Sequence, residues 1–149
     1  METFRSTARG REELCLRVNE AETGQPELQW TGVGDLRFLT SLGEVREQSQ
    51  SWLSLDCLRQ LLTAHSSNSV FDLMLREVVL KALGEWEHPF PESELCHCRV
   101  VATDLVDTAI LAGAHTPERV SRQTNASTQC GTCRPDVEAI LAYRLSQVD

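Results

Sequence analysis

Cys96-His97-Cys98, followed at a distance by Gln129-Cys130-Gly131-Thr132-Cys133-Arg134-Pro135-Asp136-Val137-Glu138-Ala139-Ile140-Leu141, is the stretch that decides how this 149-residue chain is read. Two close pairs of cysteines stand 31 residues apart, which leaves room for a pair of short helices and lets both pairs converge on one point. Within the gap, Asp104 to Ala112 places Leu105, Val106, Ala109 and Ile110 on one face, and Gly113 suits a helix stop. Thr116-Pro117-Glu118-Arg119-Val120 opens a second helix, with Thr as cap, Pro in the first turn and an acid near the positive end. Pro135-Asp136-Val137-Glu138 opens a third, whose apolar stripe is Val137, Ile140, Leu141 and Leu145. The C-terminal part therefore reads as all helical.

Four thiolates are the usual ligand set of a [2Fe–2S] cluster, two on each iron. Both pairs are expected just before a helix, where unpaired N–H groups and positive partial charge favour an anionic centre. With four thiolates the oxidised cluster is a dianion. Gly131 allows close backbone approach, and Arg99 and Arg134 are expected to add positive potential. A Cys₄ zinc site uses the same ligands and would only stabilise the fold, and a thiol–disulfide pair is a third reading. His97 is expected to point away from its two neighbours, since alternate residues of an extended chain diverge.

Over residues 95–145 the Cys-His-Cys pair, the 31-residue gap and the Cys130-Gly131-Thr132-Cys133-Arg134-Pro135 run resemble the bacterioferritin-associated-ferredoxin-like [2Fe–2S] domain, in the version found within NifU-type iron–sulfur assembly proteins. The resemblance implies a small helix-turn-helix fold over residues 95–149, with Cys96, Cys98, Cys130 and Cys133 as cluster ligands. Ala102 stands where that family has a capping Ser, so Thr103 is expected to cap instead.

Residues 1–90 read as a separate α+β domain. Leu14, Leu16 and Val18 alternate with Cys15 and Arg17 as a strand does; Glu22 to Pro26 is a turn, and Leu28 and Trp30 return. Thr31-Gly32-Val33-Gly34 reads as a tight loop. A loose helical stripe follows at Leu36, Leu39, Val45 and Trp52, then a short helix over residues 54–62 capped by Ser54, and a long helix from Phe71 to Trp86. This order is similar to the NifU/IscU-type scaffold domain. Its ligands do not carry over: Asp35 stands after Gly34 where a Cys is expected, and Phe71-Asp72 where a His-Cys pair is expected. The resemblance thus implies a degenerate scaffold. Cys15 and Cys57 are expected to be packing residues, and Asp35 and Asp72 a loop carboxylate and a helix cap rather than a vestigial metal site.

Composition narrows the function. A formal charge of −8, with Lys81 the one lysine, argues against nucleic acid and anionic membrane as partners. Residues 1–95 carry 9 cations and 16 anions, an acidic face that could dock a basic partner. No stretch approaches the roughly 18 apolar residues of a membrane span, and Met1 to Arg5 lacks a signal pattern, so the expected location is cytoplasmic. No Ser-His-Asp set, phosphate loop or catalytic carboxylate pair points to an enzyme. The expectation is a non-enzymatic [2Fe–2S] protein that supports cluster assembly or delivery, with a cysteine desulfurase, apo iron–sulfur proteins or a redox partner as its contacts, and with homodimerisation open. The alternatives are a ferredoxin-like one-electron carrier serving a bacterioferritin or a reductase, and a cluster-dependent regulatory module.

Overall fold

The computed structural model describes residues 2–8, 12–20, 22, 24–50, 55–90, 94–96, 101–124 and 134–145, with 94–96 as backbone. The chain divides into two compact units, Met1–Trp86 and Glu87–Asp149. Among the described residues no helix is long and apolar enough to cross a membrane.

The first unit is α+β, as its alternation of Leu14, Leu16 and Val18 implies. Strands β1 (Glu2–Thr7), β2 (Glu13–Glu20) and β3 (Pro26–Val33) form an antiparallel sheet in the order β1-β2-β3. The register sets Phe4 and Trp30 opposite Leu16, and Leu28 opposite Val18, so one sheet face is apolar. Thr31, Gly32 and Val33 are strand rather than loop, paired with Cys15, Leu14 and Glu13. Helices α1 (Leu36–Ser49), α2 (Arg59–Ala64, after a 3-10 turn at Leu55–Leu58) and α3 (Val70–Ala82) follow. Ser54 and Trp52 lie outside the described residues. Helix α3 stops at Ala82, not Trp86, because Gly84 and Glu85 fold their N–H groups back onto the carbonyls of Lys81 and Leu80.

Helix α1 corrects the expected stripe. It buries Phe38, Leu42, Val45 and Ser49, whereas Leu36 and Leu39 are exposed. Phe38 decides the rotation. Its ring meets Phe71 edge-on at 5.0 Å, and two glycines make room for it. A Cβ on Gly34 would lie 2.4 Å from Phe38 Cγ, and one on Gly32 would lie 3.0 Å from Phe38 Cε1. Trp30 completes the seam: its indole N–H donates to Ser49 Oγ at 3.1 Å, and Arg46 donates twice to its carbonyl, at 3.0 and 2.8 Å. Opposite, buried Glu77 of α3 accepts from Ser6 Oγ at 2.9 Å and from Lys81 Nζ at 2.5 Å, and Lys81 also donates to the Arg5 carbonyl. The single lysine thus fastens α3 to β1.

The second unit is mainly helical. Strands β4 (Glu94–Cys96) and β5 (Val101–Ala102) form a short antiparallel hairpin, which the helical periodicity did not announce. Helices α4 (Thr103–Leu111), α5 (Pro117–Thr124) and α6 (Arg134–Arg144) follow. Gly113, at a φ of 119°, ends α4 as expected and turns the buried Ala114 back under it. Val101, Val106, Ala109, Ile110, Ala114, Val120, Val137, Ile140 and Leu141 form one apolar cluster, with Phe90 and Leu145 packed against it. Full burial of each such Val, Ile or Leu contributes about 1.5–3 kcal/mol, and these contacts hold helices too short to persist alone.

The seating of Phe38 yields a test. Gly34→Ala should destabilise the first unit by about 1–3 kcal/mol, the usual result of overpacking a rigid site. Urea unfolding followed by tryptophan fluorescence measures it; an unchanged midpoint would contradict the close approach.

Candidate metal centre

Of the four expected ligands, Cys96 is the last residue of β4. Cys98, Cys130 and Cys133 lie outside the described residues, as do His97, Arg99 and Gly131. The described elements define the frame around them. Cys96 is extended and paired with Val101. In sequence the expected ligand Cys133 directly precedes α6, whose first N–H groups lack intrahelical partners. The first pair differs from the expectation, because β5 intervenes before α4. Ala102 takes the N-cap position of α4 and provides no side-chain cap; Thr103 is the first helical residue and does not cap.

Arg134 does not offer a free positive charge. Its Nε donates to Glu138 and its Nη2 to Glu118, each at 2.9 Å, and these bonds raise its pKa. Glu118 is held below the usual carboxylate range, first by its own backbone N–H in the first turn of α5 and then by Arg134. The guanidinium therefore links the start of α6 to the start of α5.

One mostly buried polar cluster of this unit was not evident in the sequence. Asp107 Oδ1 on α4 accepts from Arg144 Nε at 2.6 Å and from His88 Nε2 at 3.0 Å. Arg144, the last residue of α6, keeps 7% of its side-chain surface exposed, and Asp107 keeps 15%. His88 Nδ1 accepts the Phe90 N–H at 3.1 Å, so the ring proton sits on Nε2 and points at the carboxylate. The Tyr143 hydroxyl accepts the Glu87 N–H at 2.6 Å. Burial pushes the Asp107 carboxyl up, but the His88 hydrogen bond and the charge and hydrogen bond of Arg144 outweigh it and hold the group below the usual range. The partners lie 19 and 37 residues away in sequence, beyond any local periodicity.

In the first unit, Asp35 caps α1, accepting from the Phe38 N–H at 2.9 Å. Asp72 accepts from Ser67 N and Oγ, and it stands 3.7 Å from His65 Nδ1. Ser69, not Asp72, caps α3. Among the described residues no group of three or more His, Cys, Asp or Glu could hold a metal ion. Asp35 and Phe71 nevertheless line one cleft of about 610 Å³, with Arg37, Ser41 and Ser69. Cys15 is buried, as expected of a packing residue; Cys57 is only half-buried, and both are free thiols.

Comparison with known proteins bears on the cofactor. Residues 95–143 match the family described as the BFD-like [2Fe–2S] binding domain, so the cofactor of this segment is a [2Fe–2S] cluster. A 53-residue segment is 34% identical to a nitrate reductase of Klebsiella oxytoca, covering 36% of this chain and 6% of that protein. No solved structure matches the chain. Soft thiolate donors in two close pairs fit the cluster, whereas the hard carboxylates of the first unit are poorly suited to it.

Asp107 carries a pH dependence with a definite sign. Its folded pKa is depressed, so the stability it contributes is complete above its unfolded value of about 3.9 and is lost as pH falls through the folded value. Asp107→Asn should lower the stability of the second unit at pH 7 by roughly 1.5–3 kcal/mol, the scale of a hydrogen bond to a charged group. It should also flatten the loss of stability below pH 4. Urea titrations of both proteins at several pH values, followed by far-UV dichroism, check this; parallel pH profiles would contradict it.

Proposed function

We propose that this chain is a non-enzymatic [2Fe–2S] protein that supports cluster assembly or delivery, with Cys96, Cys98, Cys130 and Cys133 as ligands. Bound there, the cluster supplies one-electron chemistry and a transferable iron–sulfur unit. The four thiolates hold it, and the N–H groups opening α6 stabilise negative charge next to Cys133.

The cleft of the first unit carries the assembly reading. Three antiparallel strands followed by helices reproduce the order of the scaffold that residues 12–87 resemble. Asp35, which stands where a Cys is expected, and Phe71, where a His is expected, line that one cleft, while Asp72, at the second Cys position, is not among its lining residues. Asp35 and Asp72 stand in place of the expected thiolates, so in this reading the unit is a docking module rather than a second assembly site. Its partners are a cysteine desulfurase or apo iron–sulfur proteins. A second reading, a one-electron carrier, is favoured by the segment shared with a protein named nitrate reductase.

Anaerobically purified protein should contain two irons and two sulfides per chain. Replacing any one of the four ligands by Ala should strip or destabilise the cluster, and Cys15→Ala or Cys57→Ala should not. The variant lacking all four ligand thiols should hold no iron when supplied with iron, sulfide and a desulfurase. Stoichiometric zinc without iron would overturn the cofactor assignment, and a cluster on the four-fold variant would overturn the docking role. Delivery predicts that an apo-acceptor gains the cluster faster than a chelator removes it. A carrier instead retains its cluster through repeated reduction and reoxidation.

A further inference from the structure

The second unit contains a polar hub whose two ends lie on the helices that follow the two cysteine pairs. Asp107 is on α4, which begins at Thr103 after the Cys96–Cys98 pair. Arg144 is on α6, which begins at Arg134 directly after Cys133. The Asp107–Arg144 contact at 2.6 Å therefore ties together the two helices leading away from the ligands, nine and eleven residues beyond Cys98 and Cys133. His88 adds a third element: it brings the segment before β4 onto the same carboxylate oxygen, at 3.0 Å. Phe90, two residues on, packs against the apolar cluster. Thus α4, α6 and the segment entering β4 are each fixed to one atom.

We infer that Asp107, Arg144 and His88 are positioning residues for the cluster: they set the register of α4 against α6 and of the chain entering β4, and through it the placement of the two cysteine pairs. The inference rests on the [2Fe–2S] reading of Cys96, Cys98, Cys130 and Cys133.

The physical reason for assigning register to the hub is the nature of the rest of the packing. The α4–α5–α6 core is made of Val, Ile, Leu and Ala, and aliphatic cores tolerate small slips and substitutions with modest loss of stability. A buried carboxylate cannot slip. Displaced by a fraction of a turn, it loses the hydrogen bonds from Arg144 and His88 in a site with little solvent. Only one relative placement of the two helices therefore satisfies the hub. Removing an outer support of a metal site weakens the site without removing a ligand.

The test separates positioning from mere stability. Replacing a buried ion pair by apolar residues of similar size is often neutral or stabilising for folding. The Asp107→Leu/Arg144→Met double variant, Arg144→Lys and His88→Gln would be prepared as full-length, cluster-loaded proteins. Cluster loss to an excess of chelator is followed by visible absorption, and helix content by far-UV dichroism. Tryptophan fluorescence controls for the first unit, since Trp30, Trp52 and Trp86 all lie there. The expected result is release about 10–100-fold faster than wild type in the double variant, at wild-type helix content and fluorescence. Arg144→Lys and His88→Gln should fall in between. Wild-type release rates in a folded double variant would overturn the inference and leave the hub a stability element. Should the double variant lose helix content, wild-type release from both Arg144→Lys and His88→Gln would overturn it equally. A wild-type protein that binds no iron would instead overturn the [2Fe–2S] reading itself.

Discussion

A carboxylate withdrawn from water must find donors, and in the second unit this requirement falls on a single atom. Asp107 Oδ1 accepts from Arg144 and from His88, one from the far end of α6 and one from the chain before β4. Once that oxygen is ionised and mostly buried, much else is determined. His88 must carry its proton on Nε2, because Nδ1 is taken by the Phe90 N–H. Arg144 must turn inward, alongside the buried Val137, Ile140 and Leu141 of the same helix. The first unit repeats the device with Glu77, whose two oxygens hold Ser6 of β1 and Lys81 of α3. Aromatics are scarce, at 5% of residues, so large interlocking rings cannot specify each contact. In each unit a mostly buried acid bridges elements distant in sequence and adds specificity that an aliphatic core lacks.

Local chemistry was legible wherever it acts locally. The alternation at Leu14, Leu16 and Val18 gave β2, the Gly24 turn gave its hairpin with β3, and Thr116-Pro117 and Gly113 marked helix ends that the structure keeps. The misreadings have one physical origin: two local patterns competed and a tertiary contact chose between them. Leu36 and Leu39 offer as good a stripe as Phe38 and Leu42, and only the space left by Gly32 and Gly34, with Phe71 across from it, selects the second. Strand β1 has the polar sequence Glu2-Thr3-Phe4-Arg5-Ser6-Thr7 and exists because β2 pairs with it. The β4–β5 hairpin is too short for any periodicity to register.

The candidate site divides in the same way. Four closely paired cysteines are a covalent pattern that survives without a structure, and the family match falls on the segment that contains them. Their support is different in kind. Asp107 stands between two members of an apolar face, Arg144 reads as an ordinary C-terminal helix cation, and His88 sits in a Pro-rich break. Each has a bland local explanation, and only the fold brings them within hydrogen-bond distance.

The charge around the cysteines leads to a last step. Arg134 is the described cation nearest to a ligand in sequence, and its charge is matched by Glu118 and Glu138. Arg144 is matched by Asp107. The N–H groups that open α6, which follows Cys133 directly in sequence, carry positive partial charge of their own. Those dipoles are fixed in direction, whereas an exposed arginine on a flexible stem is screened by salt within about 10 Å. Adding an electron to a four-thiolate dianion raises its negative charge further, in a chain that already carries −8. Negative charge near such a centre opposes the added electron, and helix N–H groups near it favour the added charge.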